Sequence, residues 1–362
     1  MARSTRAFSS LRWIAVPLAR GASHVAGGRA EACEQETAAA SRRVLPGNLV
    51  FSTGASEEGQ RCNADVRPST SRRVRPGIHL VHKRPGETSF SLVRAFTGST
   101  GLRACHGGAL DPFAEGLLLI LAGPATRLFE LLHPVPKTYQ AGIAWGAETD
   151  NGDPLGQVVA TGDASSLTPP KLDSALIGHL GWREQVPPPT SNKRVGGERA
   201  YVRAHRGEEV VLPPSRVYLH EARFQGHDLP RSSRLLLVAR GGYYVRALVR
   251  DLGRELGCRA HLTALRRVSI GPWNDPAGET QIVSGPAVLP WSPRRELTDE
   301  EERRIRGGAS IERGHLEEPE WRCPPGFPDP EPPIRALHRG GLQALLRESP
   351  EGLVRAIDLR GI

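Results

Sequence analysis

The longest uninterrupted apolar stretch in the sequence, LLLILAG at residues 117–123, is only seven residues long. A helix that crosses a bilayer needs roughly 18 or more apolar residues in a row, so the sequence predicts no membrane-spanning segment. Hydrophobic residues make up 38% of the 362 residues and charged residues 24%, which is typical of a chain with a folded core. At about 150 residues per domain, this length indicates two domains.

The net charge of +9 is distributed unevenly. Residues 1–76 contain 12 Lys and Arg against 6 Asp and Glu, residues 77–272 contain 24 against 17, and residues 273–362 contain 12 against 16. The middle segment is therefore basic on its own, which makes nucleic acid the first partner to consider. The five Cys residues include no C-x-x-C pair, which argues against structural zinc or a disulfide framework and fits a reducing compartment.

The N-terminal part has two interpretations. Residues 1–30 carry five Arg, several Ser and no acid, a composition that organelle transit peptides share. Residues 31–76 show no periodic apolar pattern, so we favour a disordered N-terminal extension over residues 1–76 and a cytoplasmic protein.

Residues 77–272 predict an α+β fold. Strand and helix patterns alternate there without a regular βαβ rhythm, which favours a mixed sheet. The predicted elements are strands at 77–83, 139–146 and 234–240, a short helix at 90–96 capped by Thr88 or Ser89, and helices at 169–181 and 245–257.

Residues 273–362 predict a small, separate, acidic unit. Thr298 and Glu301 form a T-x-x-E capping box at the start of a charged helix. A proline-rich linker at 323–333 is followed by two predicted strands, which a turn at Gly340 and Gly341 joins.

The first candidate for chemistry is Asp111, in the segment HGGALDPFAEGLLLILAG at 106–123. Pro112 favours an extended Asp111 and is suited to begin a helix, so Asp111 is expected at a helix N-terminus, where N–H groups stabilise a carboxylate. In one interpretation Asp111 only caps this helix. In the other, His106 and the following glycine pair leave open space around a reactive carboxylate.

The second candidate is the predicted helix at 245–257. One face is apolar, and Arg246, Arg250 and Arg254 follow one another at intervals of four on another face. Like charges at this spacing repel, so the face is either an ordinary solvated surface or one that meets phosphates or surface acids. Phosphate-loop, helical zinc-pair and nucleophile-elbow motifs are all missing from the sequence. The residues alone therefore indicate a basic, metal-free α+β protein that binds RNA or DNA.

Read together, these segments resemble the TruB family of tRNA pseudouridine synthases. The shared motifs, in order, are K-x-P-G-x-T-S-F (83–90), H-G-G-A-L-D-P-x-A-x-G-x-L (106–118), A-T-R (125–127), K-T-Y (137–139), G-x-x-T-D-x-x-D-x-x-G (146–156), P-P-P-x-S-N-K (187–193), G-x-R-A-Y (197–201), G-x-Y-V-R-x-L-x-x-D-L-G (242–253) and L-G-C-x-A-H-L-x-x-L-R-R (256–267). The tail at 289–308 is similar to the PUA-like appendage of bacterial members.

The resemblance implies a pseudouridine-synthase fold at 77–272 and a PUA-like RNA-binding unit at 273–362. It implies an isomerase of tRNA processing that converts the T-loop uridine at position 55 of tRNA to pseudouridine. The partner would be the T arm of tRNA, with no metal, organic cofactor or membrane involved, and the protein is expected to be a monomer.

The resemblance also assigns roles to individual residues. Asp111 would be the nucleophile, attacking either the uracil ring or the anomeric carbon of the sugar. Arg246 would pair with Asp111, and Tyr139 would stack on the flipped base and take part in proton removal. The remaining expected substrate contacts are His106, which would brace the rearranged loop, and Tyr244 and Leu265, which would line the pocket.

Several positions depart from the family pattern. Gly107 replaces a threonine, His82 and Arg84 replace Asp and Pro, and Asn151 and Asn192 replace threonine and alanine. Three other functions compete: a guide-RNA-dependent dyskerin-like synthase, a non-catalytic tRNA-folding chaperone, and a generic basic scaffold. The acidic tail and the insert at 187–208 argue against the dyskerin-like synthase. The presence of Asp111, Tyr139 and Arg246 argues against the chaperone, although Gly107 keeps that alternative open. The ordered motifs argue against the generic scaffold.

Overall fold

The computed structural model describes residues 74–328 and 332–362. The predicted N-terminal extension, residues 1–76, lies outside these ranges except for its last three residues. The strands of the described part are β1 (Gly77–Lys83), β2 (Ala104–His106), β3 (Glu115–Ala122), β4 (Lys137–Trp145), β5 (Ala147–Thr149), β6 (Val158–Thr161), β7 (Gly181–Gln185), β8 (Arg194–Val195), β9 (Glu198–Arg199), β10 (Ser215–Asp228), β11 (Ser232–Ala239), β12 (Ala260–Ile270), β13 (Trp273–Asn274), β14 (Gln281–Val283), β15 (Arg294–Glu296), β16 (Ile334–His338), β17 (Gly341–Ser349) and β18 (Gly352–Asp358). The α-helices are α1 (Ser89–Thr100), α2 (Phe129–Leu132), α3 (Pro169–Ile177), α4 (Ala200–His205), α5 (Val245–Glu255) and α6 (Asp299–Arg306).

A ten-stranded mixed sheet forms the centre of the described chain. Its strand order is β14-β1-β3-β12-β4-β11-β10-β7, with β2 on β3 and β13 on β12. The pairs in this sheet are antiparallel, except that β12 runs parallel to β3. This arrangement confirms the predicted α+β fold with a mixed sheet.

Strand β4 shows how the sequence pattern encodes the sheet. Every second residue from Lys137 to Trp145 is buried, and Tyr139, Ala141 and Ile143 belong to one apolar cluster with residues of α3, α5 and β12. Period-two burial is the pattern of a strand with one face on the core. Helices α3 and α5 cover that face.

Pro112 was expected to begin a helix, and this prediction is wrong. Residues Glu115–Ala122 form β3. Leu117, Leu119 and Leu121 pack with β1 and the C-terminal sheet, while Leu118 and Ile120 pack beneath α1. Because both faces of β3 are covered, the strand is apolar at every position and shows no alternation, so periodicity could not distinguish it from a helix.

The predicted helices at the start and the end of the described chain are confirmed with their caps. Thr88 caps α1 through a capping box with Ser91. Thr298 and Glu301 form the predicted box before α6. The predicted helices at 169–181 and 245–257 are present as α3 and α5. Within the described ranges, no helix is long and apolar enough to span a bilayer.

The C-terminal strands form a second, four-stranded sheet in the order β15-β16-β17-β18, and the predicted turn at Gly340 and Gly341 joins β16 to β17. Leu337, Leu342 and Leu345 of this sheet belong to the same apolar cluster as Leu119 of β3. The predicted division between residues 272 and 273 therefore crosses a shared core.

The parallel contact between β3 and β12 depends on Gly116. This glycine has φ +103°, and an added Cβ would lie 2.3 Å from the Arg267 carbonyl oxygen. We expect Gly116→Ala to lower the free energy of unfolding by roughly 2–4 kcal/mol, because the backbone strain and the clash add. Denaturant unfolding followed by circular dichroism measures this.

The matched control is Gly98→Ala in α1, where an added Cβ meets no atom within 4 Å. This change should stabilise the protein by about 0.5–1 kcal/mol. Equal unfolding midpoints for the two variants would contradict the described packing of β3 on β12.

Candidate active site

Asp111 lies in a tight turn, not at a helix N-terminus as expected. The Ala114 N–H donates to the Asp111 carbonyl oxygen at 3.1 Å, and β3 begins one residue later. The Asp111 side chain is 30% exposed. The turn thus presents a carboxylate to solvent at the edge of the buried sheet, without a helix behind it.

Arg246 holds this carboxylate with both arms of its guanidinium. Its Nε donates to Asp111 Oδ2 at 2.9 Å and its Nη2 to Asp111 Oδ1 at 2.7 Å. The remaining N–H groups bond to the Asn151 carbonyl oxygen, the Thr190 hydroxyl and the Thr190 carbonyl oxygen at 2.7–3.1 Å. The Arg246 side chain is only 3% exposed, and all five of its donors have acceptors. Such a bidentate pair fixes the carboxylate in direction.

The start of α5 places Arg246. Tyr244 precedes the helix and has no side-chain cap. The Gln185 amide at the end of β7 takes that role: its Oε1 accepts from Tyr244 N at 2.9 Å and its Nε2 donates to Tyr244 O at 3.1 Å. Because Gln185 holds both backbone groups of Tyr244, the first turn of α5 has a fixed position.

Lys83 supports the Asp111 turn from below. Its side chain is fully buried, and its Nζ donates to the carbonyl oxygens of Arg84, Pro112 and Ala114 at 2.6–3.1 Å. Burial lowers the pKa of Lys83 to about 8, so the amine is still mostly protonated at neutral pH. Sequence reasoning gave Lys83 no role, although a lysine at the end of the apolar strand GIHLVHK is a detectable signal.

Arg267 supports the other end of the same segment, and sequence reasoning also gave it no role. It is 1% exposed. Its guanidinium donates to the carbonyl oxygens of Leu117 at 2.8 Å, Gly108 at 2.9 Å and Ala109 at 3.4 Å. Buried charges at such positions are expected to have partners, and here every named acceptor belongs to residues 108–117.

The other predicted site residues lie around this segment. Tyr139 and Leu265 are buried in one cluster with Leu110 and Ala114, which flank the Asp111 turn. Tyr244 is half-buried, and burial raises the pKa of its phenol. His106 accepts from Gly108 N through Nδ1 at 3.4 Å.

The surroundings of His106 disfavour the charged form of its imidazole. Burial lowers its pKa, and the nearby charge of Arg267 lowers it further. Gly107, which stands where the family pattern has threonine, donates its N–H to Leu119 O, and an added Cβ there would lie 3.1 Å from Leu119 Cβ. A side chain at residue 107 would therefore need Leu119 to shift.

The two remaining arginines of α5 have acidic partners. Arg250 Nε donates to Asp251 at 2.8 Å, and Arg254 pairs with the buried Glu148. Burial alone would raise the pKa of Glu148, but the hydrogen bonds and charge of Arg254 outweigh it and lower this pKa. The sequence left open whether Arg250 and Arg254 of α5 meet solvent, phosphates or acids, and the structure shows that they pair with acids. Among the described residues, no group of three or more His, Cys, Asp or Glu could hold a metal ion.

Two family models match the chain. Residues 95–245 match the TruB family pseudouridylate synthase N-terminal domain, and residues 246–285 match the tRNA pseudouridylate synthase B C-terminal domain. The chain is 39% identical over 247 residues to tRNA pseudouridine synthase B of Parasynechococcus marenigrum (strain WH8102), which covers 65% of this chain and 84% of that protein. It is 36% identical to the same-named protein of Arthrobacter sp. (strain FB24), covering 66% and 83%.

The fold has solved counterparts. The crystal structure of a Cbf5-Nop10-Gar1 complex contains a chain that matches with a TM-score of 0.56 at 19% identity, covering 79% of this chain and 85% of that one. This likeness is one of fold. The family models and the relatives show that this chain belongs to the TruB family of tRNA pseudouridine synthases.

Proposed function

We propose that this protein converts the uridine at position 55, in the T loop of tRNA, to pseudouridine, with Asp111 as the nucleophile. The observation that carries the proposal is the Asp111–Arg246 pair: the carboxylate is accessible, while its partner is buried and has no donor to spare. A carboxylate fixed in this way is oriented and open to a substrate.

The reaction is an isomerisation and needs no co-reactant. The glycosidic bond from N1 of uracil to C1′ of ribose breaks, and a bond from C5 to the same C1′ forms. C5 loses a proton and N1 gains one, so atoms and electrons balance. Asp111 assists by attacking C1′ or the uracil ring, which labilises the bond between base and sugar.

The surrounding residues are suited to the remaining tasks. The target base must leave its stack to reach a buried site, and Tyr139 at the edge of the apolar cluster offers an aromatic face for it. Leu265 and Tyr244 line the same side. His106 ends β2 and lies at the start of the segment that carries Asp111, so it is suited to brace the RNA loop that has lost the base.

Asp111→Asn tests the nucleophile. The amide keeps the size and can still accept from Arg246, but it lacks the charge and the nucleophilic oxygen. We expect less than about one per cent of wild-type turnover with tRNA affinity within a few fold, because loss of a nucleophile costs orders of magnitude in rate. Tritium release from uridine-labelled tRNA transcript, without guide RNA, measures turnover.

Asp173→Asn, an exposed acid on α3, is the control and should keep full activity. Chemical mapping of pseudouridine along the tRNA tests the position. Product at a site other than 55, product only with a guide RNA, or normal turnover by Asp111→Asn would each contradict the proposal.

Arg246→Lys tests the two-armed contact between the Arg246 guanidinium and the Asp111 carboxylate. An ammonium is a point charge and cannot bind both carboxylate oxygens in one plane while also reaching Thr190 and Asn151. We expect kcat to fall at least about a hundredfold, because the carboxylate loses its fixed direction. Single-turnover kinetics at saturating tRNA give this value.

Arg254→Lys on the same helix provides the comparison. Its side chain is half-exposed and pairs with Glu148, so lysine should serve nearly as well. If Arg246→Lys and Arg254→Lys reduce kcat equally, the two-armed contact of Arg246 with Asp111 has no special role in catalysis.

A further inference from the structure

A second cluster of aromatic and basic side chains lies at the β7–β10 edge of the central sheet. Trp182 of β7 is 42% exposed. The Arg216 guanidinium lies 4.5 Å from the centre of the indole ring, and that of Arg240 lies 5.8 Å from it. We call Trp182, Arg216 and Arg240 the Trp182 platform.

The two arginines of the platform have no acidic partner among the residues that the structure describes. Glu184 is opposite Arg216 in the strand register, yet no ion pair forms, because the guanidinium lies over the indole instead. Arg240 is half-buried, and its Nε is buried without a hydrogen-bond partner. Many arginines of the described residues, Arg250 and Arg254 included, pair with acids, whereas the two guanidinium groups of the platform lie side by side with no acid to neutralise them.

The charge around Arg240 is also positive. Burial lowers the pKa of Lys137 and of His133, and the Arg240 charge is among the groups that lower both further. Lys193 adds to the effect on His133. Burial also lowers the pKa of Arg240 itself, and no carboxylate raises it again. An anion at this place would therefore be attracted by two guanidinium groups that no acid of the described residues neutralises.

The platform is tied to the candidate active site through the backbone. Trp182 and Gln185 lie three residues apart on β7, about 10 Å along the strand and on opposite faces of the sheet, and the Gln185 amide holds Tyr244. Arg240 directly follows β11, in the segment that leads to Tyr244. The backbone N–H of Arg240 donates to the Tyr218 carbonyl oxygen. Tyr218 in turn packs against Trp182, with ring centres 5.2 Å apart. Both arginines thus stand on or directly after strands that are rigidly joined to the site.

We propose that the Trp182 platform binds a phosphodiester of the tRNA backbone at the β7–β10 edge of the sheet, outside the catalytic site, with Arg216 and Arg240 contacting the phosphate and Trp182 holding the two guanidinium groups in place. The proposal rests on the proposed function for the identity of the RNA. RNA fits better than an acidic protein surface, because a flexible backbone can bring one phosphate between two guanidinium groups that are fixed by stacking. Each phosphate that an arginine neutralises releases counterions and makes binding dependent on salt.

Arg216→Gln with Arg240→Gln is the decisive variant, tested on the full chain with an unmodified tRNA transcript. The dissociation constant should rise about tenfold at moderate salt, and the slope of log affinity against log salt should fall by about 0.7–0.9, the value for one phosphate. KM should rise with kcat at saturating tRNA unchanged, because neither residue touches the reacting atoms.

Arg223→Gln is the matched control: this arginine lies on β10 as well, but it is exposed and near Glu221. It should leave affinity and salt slope unchanged. Trp182→Ala should reproduce part of the loss, and Trp182→Phe should restore it, since a phenyl ring still offers a face to a guanidinium. Thermal unfolding of each variant confirms that it is folded.

An unchanged salt slope in the double variant overturns the proposal, as does an equal loss in Arg223→Gln. Sedimentation that shows the double variant losing self-association, with RNA affinity intact, would assign the platform to a second copy of the chain and also overturn it. If the protein forms pseudouridine at position 55 but the double variant binds tRNA as tightly as the wild type, this inference is wrong and the proposed function stands. If the double variant binds tRNA more weakly but the wild-type protein forms pseudouridine at another position, or forms none, the proposed function is wrong and this inference stands.

Discussion

The site depends on three buried cations that hold one short segment of chain. Lys83, Arg246 and Arg267 are almost fully buried, and each bonds to atoms of residues 108–117. Burying a cation is costly unless its donors are satisfied. That cost makes any other path of the segment unfavourable, because a displaced carbonyl would leave a buried charge unpaired. The accessible carboxylate of Asp111 therefore inherits a fixed position from groups that never meet solvent.

Much of the framework was predictable, because local patterns and tertiary packing agree. Strand β1 was predicted with its observed bounds from a short apolar run that ends in Pro-Gly punctuation. Helices α1 and α6 were predicted from their capping residues. The pairing of Asp111 with Arg246 followed from the family resemblance and is present as a direct two-armed contact. The catalytic and binding roles of the site residues stay predictions.

What the sequence could not provide depends on contacts between distant residues. The stretch after Pro112 is apolar at each position, and only the partners on both faces make it strand β3 instead of a helix. The support from Lys83 and Arg267 joins strands that are far apart in the chain, and each acceptor is a backbone carbonyl, which leaves no trace in residue type. For the same reason, the acids that neutralise Arg250 and Arg254 were open alternatives until the structure placed them.

The shared core beneath β3 has a consequence for the order in which this protein can form. Strand β3 is synthesised early, but its parallel neighbour β12 and the leucines of β17 that cover it leave the ribosome more than a hundred residues later. Until then, the most apolar strand of the chain lacks partners, and such exposed segments are prone to aggregate. The turn that carries Asp111 leads directly into this strand. A nascent chain that has not yet reached β17 therefore already carries all of the proposed site residues while the strand next to the Asp111 turn is still uncovered.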